Sequence, residues 1–161
     1  MAEHTQTHEL VRQAPQSLTR SAVSATLHCL TGCAIGEVLG MVLATWWGWG
    51  NAASIALAIV LAFSFGYSLT LIPVLRAGVP LRRALPIAFA SDTASIAVME
   101  LVDNAFILLV PGAIDAELRD GLFWWSLAVS LVIAFAVALP LNRWLIARGK
   151  GHAVAHAFHS H

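Results

Sequence analysis

Four side chains that can do chemistry crowd ten residues of an otherwise apolar stretch: His28, Cys29, Cys33 and Glu37 in "HCLTGCAIGE". Thiolates and imidazole are ligands for soft or borderline metals, copper(I) first and zinc second. A carboxylate at membrane depth costs about 2.5–3.5 kcal/mol to insert and marks function more often than packing. A second stretch, "SDTASIAVMELVDN", holds Asp92, Ser95, Met99, Glu100, Asp103 and Asn104. Met99 adds a third sulfur to the set.

Helical geometry puts these groups on faces. At about 100° per residue, Cys29, Cys33 and Glu37 form one four-residue row. Gly32, Gly36 and Gly40 form a neighbouring row, a small-xxx-small stripe that lets another backbone approach. His28 borders that stripe. On the second stretch, Asp92, Ser95, Met99 and Asp103 fall within about 80° of one another, with Glu100 and Asn104 on the adjoining side. Both faces are expected to point into protein. If the two helices touch, they form a ladder of levels: His28 with Asp92, Cys33 with Met99, and Glu37 with Asp103.

The elements that must position these groups are read from composition. The chain has 161 residues, 58% hydrophobic and 11% charged, against about 25% charged in an ordinary soluble domain. Four apolar stretches, Ala22–Trp46, Ala52–Leu75, Ala84–Val110 and Leu122–Ile146, each exceed the about 20 residues a membrane helix needs. The expected fold is all-α, a four-helix transmembrane bundle with short connections and antiparallel neighbours. The expected division is a polar cytoplasmic tail over 1–21, the four-span domain over 22–146, and a His-rich cytoplasmic tail over 147–161. Pro80 and Gly78 mark a turn, and Pro111 and Gly112 end the third span.

Charge sets orientation. Arg12, Arg20, Arg76, Arg82, Arg83, Arg143, Arg148 and Lys150 fall on one side, and only Arg119 on the other. The positive-inside rule then places both termini in the cytoplasm, N-in and C-in. Trp46, Trp47, Trp49, Trp124 and Trp125 form an outer aromatic belt, with Trp144 at the inner interface.

Competing readings are weaker. "LTGC" looks like a lipoprotein cleavage box, but the apolar run continues beyond it. A cleaved signal peptide does not fit so long a span. Cys29 and Cys33 sit one turn apart, about 5–6 Å between Cβ atoms, too far for an unstrained disulfide. This weakens a thiol oxidoreductase, which ordinarily uses CxxC. A haem site has only His28 as an axial ligand inside the bundle, unless Met99 supplies the other. A proton or small-cation pathway through Glu37, Asp92, Glu100 and Asp103, without bound metal, is the main alternative.

The tails hold His4 and His8, and His152, His156, His159 and His161. Such tracts can capture metal, and their irregular spacing is unlike an expression tag.

"HCLTGCAIGEVLGM", "SDTASIAVMELVDN", "PGAIDAEL" and "NRWLIARGKGHAV" together resemble a family of small bacterial membrane proteins, domain of unknown function 4396. The resemblance runs from His28 to about His156. It implies a compact multi-span bundle in a bacterial inner membrane and carries over no activity or ligand. The residues themselves lead to an intramembrane transition-metal site, His28, Cys29, Cys33 and Met99, serving metal binding or passage more than catalysis. Expected partners are the lipid bilayer and, through the glycine stripe, a second copy of the chain. Nothing points to nucleic acid or to a nucleotide-binding loop.

Overall fold

The computed structural model describes residues 2–76 and 78–148, with the side chains of 2–17, 87, 90 and 91 outside the description. Four long helices account for most of it: α1 (Ala2–Trp47), α2 (Asn51–Arg76), α3 (Leu81–Leu109) and α4 (Gly121–Ala147). A short 3-10 turn, Ala113–Asp115, lies between α3 and α4. No strand is present among the described residues.

The chain turns where the sequence supplies glycine. Gly48, Gly78 and Gly112 have φ of 67°, 82° and 79°, a left-handed conformation that costs glycine nothing. Pro80 caps α3 with an extended backbone. Pro73 lies inside α2, Pro86 inside α3 and Pro140 inside α4. The segment read as an N-terminal polar tail continues α1 as helix.

The helices pack as a ring, each against the next and α4 back against α1, with α1 and α3 touching across the interior. Sequential helices are antiparallel, so α1 and α3 run the same way. One end of the ring carries Trp46, Trp47, Trp49, Trp124, Trp125 and Asp115, and the other carries Trp144, Arg76, Arg82 and Arg83.

The glycine stripe explains the closest pair. A Cβ at Gly32 would stand 2.8 Å from Gly66 Cα, one at Gly36 2.5 Å from Ala62 Cα, and one at Gly40 2.7 Å from Ala58 Cα. Only glycine lets α2 come so near. The stripe is thus filled within the chain. Self-association through it would require the α1–α2 contact to open, because the same surface cannot serve both.

Polarity is reversed relative to a soluble bundle. Leu27, Val60, Leu101, Leu108, Val132 and Val137 are exposed, while Thr26, Glu37, Asp92, Ser95, Asp103 and Asn142 are buried. Three segments are long and apolar enough to cross a membrane: Leu18–Trp47, Asn51–Arg76 and Gly121–Ala147. The sequence reading counted α3 as a fourth. Its 29 residues give it the length, but Arg82, Arg83, Asp92, Glu100 and Asp103 set it apart from the other three.

Candidate functional site

Three levels of side chains fill the interior between α1, α3 and α4. At the basic end lies a hydrogen-bonded clasp. Asn142 on α4 donates its amide to Thr26 Oγ1 on α1 at 2.9 Å and to Ser95 Oγ on α3 at 3.0 Å. Thr26 passes its own proton to the Ala22 carbonyl at 2.7 Å, a back-bond one turn down its helix. All three side chains are buried, and Cys29 lies close to Ser95 and Asp92.

The middle level is largely apolar. Cys29 and Cys33 pack with Met99, Ile96, Ala62, Ala134 and Ala138 in one core cluster. Both thiols are free. The two cysteines project from α1 one turn apart, as their spacing requires. Alanines on α4 leave room for the larger sulfur side chains.

At the tryptophan end the interior opens into a cavity of about 380 Å³. Glu37 from α1 and Glu100 and Asp103 from α3 border it, and it extends to Asn51 at the start of α2 and to Asp115 and Glu117 in the α3–α4 connection. Glu37 lies close to Asp103 and Glu100, and Cys33 close to Glu100. The three carboxylates are 8%, 5% and 2% exposed, and no donor meets either oxygen of Glu37 or Glu100, or Oδ1 of Asp103, in full hydrogen-bond geometry, although the Cys33 thiol and the Asn104 amide stand beside Glu100 and Asp103 stands beside Glu37. Among the described residues bordering the cavity there is no Lys, Arg or His. At its mouth Asn51 donates to Asp115 Oδ1 at 2.8 Å, tying the α1–α2 turn to the α3–α4 connection. The nearest guanidinium in that connection, Arg119, is engaged with Glu117 at 2.8 Å.

The structure therefore brings together most of the residues the spacing singled out. Cys29, Cys33, Met99, Asp92, Ser95, Glu37, Glu100 and Asp103 are all buried between the helices. Glu37 meets Asp103 as the ladder predicts. Asn104 lines the cavity and donates to the Glu100 carbonyl at 2.8 Å. His28 is half-buried on α1. Among the described residues, no three or more His, Cys, Asp and Glu side chains converge as a metal-binding group. The reason is steric and electrostatic. The thiols pack against apolar side chains on one side, with Ser95 and Asp92 near Cys29 and Glu100 near Cys33, and the carboxylates stand along a cavity wall. The terminal histidines, His4, His8, His152, His156, His159 and His161, lie outside the described side chains.

Sequence reasoning missed the contribution of α4. Ser126, Ser130, Ala134, Ala138 and Asn142 recur every four residues and are all buried. It is the same small-residue signature that drew attention to α1, and it was there to be read. Asn51 and Asp115 carried no signal, because their pairing joins two turns far apart in the chain.

No curated protein and no solved structure matches the chain. One family model does, described as Domain of unknown function (DUF4396), and it matches residues 19–151, which take in all three levels of the interior. With most of its length inside that match, this chain belongs to the DUF4396 family.

Proposed function

We propose that this protein is a four-span integral protein of the bacterial inner membrane, both termini cytoplasmic, that handles a cation at Glu37, Glu100 and Asp103. Support for α3 as a fourth span comes from its surface. Phe89, Leu101, Leu108 and Leu109 are exposed, whereas its three carboxylates are buried. Support for the orientation is the eight-to-one division of Lys and Arg.

The observation that carries the cation reading is the unsatisfied state of the three carboxylates around one cavity. Like charges in a low-dielectric interior repel strongly, and a buried polar group without a partner is costly. With no basic side chain among the described residues of the cavity wall, balance comes from protons or from a cation entering at the tryptophan end. The largely apolar sulfur level would then separate this vestibule from the clasp at the basic end.

Infrared difference spectroscopy of the purified protein tests this. A protonated-carboxyl band is expected near neutral pH in cation-free buffer. It should shrink when a bound cation replaces the protons, and disappear in the variant combining Glu37→Gln, Glu100→Gln and Asp103→Asn. A spectrum without the band, unresponsive to every cation, overturns the reading.

A second reading, binding or passage of copper(I) or zinc, is favoured by the packing of Cys29, Cys33 and Met99 in one cluster. It needs the sulfur level to rearrange so that the sulfurs converge, and it adds His28 as a fourth ligand.

A further inference from the structure

The cavity is large for a bare ion. A dehydrated divalent cation is held by six to eight converging oxygens at about 2.0–2.6 Å. Here five carboxyl side chains border one space, the buried Glu37, Glu100 and Asp103 and the exposed Asp115 and Glu117, yet no group of three or more among the described residues converges on a point. The volume, about 380 Å³, falls in the range of small-molecule sites, about 300–1,000 Å³. The remaining wall is largely apolar, with Ile55, Ala58, Ile107 and Leu127 on three different helices. A hydrated inorganic ion gains nothing from the apolar part of this wall, whose polar groups include Thr45, Ser54, Asn104 and Ser126.

These features describe a ligand with a cationic head and an aliphatic body. The head must also donate hydrogen bonds. Five carboxylate oxygens, two on Glu37, two on Glu100 and one on Asp103, meet no donor in full hydrogen-bond geometry, with the Cys33 thiol and the Asn104 amide beside Glu100 and the Asp103 carboxyl beside Glu37. A primary ammonium carries three N–H donors on one charge. A quaternary ammonium has the charge but no donor, and an alcohol has a donor but no charge.

We propose that the Glu37–Glu100–Asp103 cavity binds a primary alkylammonium ion, its nitrogen among the carboxylates and its chain along the apolar wall toward the Asn51–Asp115 mouth. This rests on the cation reading of the same site and specifies the class of cation. The carboxylates supply charge and acceptors, the apolar wall selects a carbon chain over a hydrated ion, and the mouth between two connections gives an entry that crosses no helix interface.

The experiment uses the full chain in a non-ionic detergent and reads binding by isothermal titration calorimetry and by thermal midpoint. n-Butylammonium is the probe. Tetramethylammonium, n-butanol and sodium ion are the comparisons, and they need no variant. Saturable binding of n-butylammonium with a raised midpoint, and none of the comparisons matching it, is the expected result. Glu37→Gln and Glu100→Gln should each weaken it roughly tenfold or more, as for loss of a hydrogen bond to a charged group. Equal responses to n-butylammonium and n-butanol, or undiminished binding in a folded Glu37→Gln, Glu100→Gln double variant, overturn the proposal. So does the absence of saturable binding. In that last case the infrared band decides how far the failure reaches. If it still responds to sodium or another inorganic cation, only the alkylammonium assignment falls. If it responds to nothing, the cation reading falls with it.

Discussion

Asn142 on α4 donates to Thr26 on α1 across 2.9 Å of space and 116 residues of sequence. The same amide nitrogen reaches Ser95 on α3. One side chain thus ties three helices at the basic end of the ring. Asn142→Ala is expected to lower stability by about 1 kcal/mol, the scale of interhelical hydrogen bonds in membrane proteins. Thr26→Val added to it should cost less than Thr26→Val alone, because both remove one bond. A double-mutant cycle from thermal or denaturant unfolding in detergent checks this. Strict additivity would mean that the clasp carries no coupling energy.

Gly36 and Gly50 should respond oppositely to a methyl group. A Cβ at Gly36 would stand 2.5 Å from the Ala62 backbone, whereas one at Gly50 meets nothing within 4 Å. Gly36→Ala is expected to cost about 1–3 kcal/mol, as for overpacking, because backbone cannot step aside as a side-chain tip can. Gly50→Ala should fall within about 0.5 kcal/mol of the parent, as for surface changes. The two unfolding midpoints, measured side by side, make the comparison.

Cys29 and Cys33 are 2% and 1% exposed. Both thiols should resist a maleimide in the folded protein and react fully after unfolding, followed by mass spectrometry. The second functional reading adds an outcome. With both His-rich tails removed and under reducing conditions, the parent should hold about one copper(I) or zinc ion, and the Cys29→Ser, Cys33→Ser variant should lose it, by elemental analysis. Equal metal content in the two leaves the sulfurs as packing.

Reporter fusions test whether α3 crosses the membrane. A fusion at the C-terminus and one in the α2–α3 turn near Gly78 should report cytoplasm. One near Asp115 should report periplasm. If the reporters near Gly78 and Asp115 agree with each other, α3 does not span, and the buried carboxylates enter from the surface.

The sequence by itself determined which helices exist and which of their faces are special. Apolar length, left-handed glycines and proline punctuation set α1 to α4, because backbone groups in an apolar setting are satisfied within each helix. The four-residue rows of Cys29, Cys33 and Glu37, and of Gly32, Gly36 and Gly40, are likewise local. Any α-helix puts such residues on one side. Only the tertiary structure decided what those sides meet. Rotation and depth between helices are set by packing among residues distant in the chain, and periodicity is blind to both. So the glycine stripe proved to be the seat of α2, seen in Gly36 against Ala62. Cys29, Cys33 and Met99 came together in one packed layer, while Glu37, Glu100 and Asp103 came to share a cavity. Asn142, one polar residue in a long apolar helix, became the joint of three helices because α4 turns its row of small residues inward, where a buried amide has to find partners on other helices.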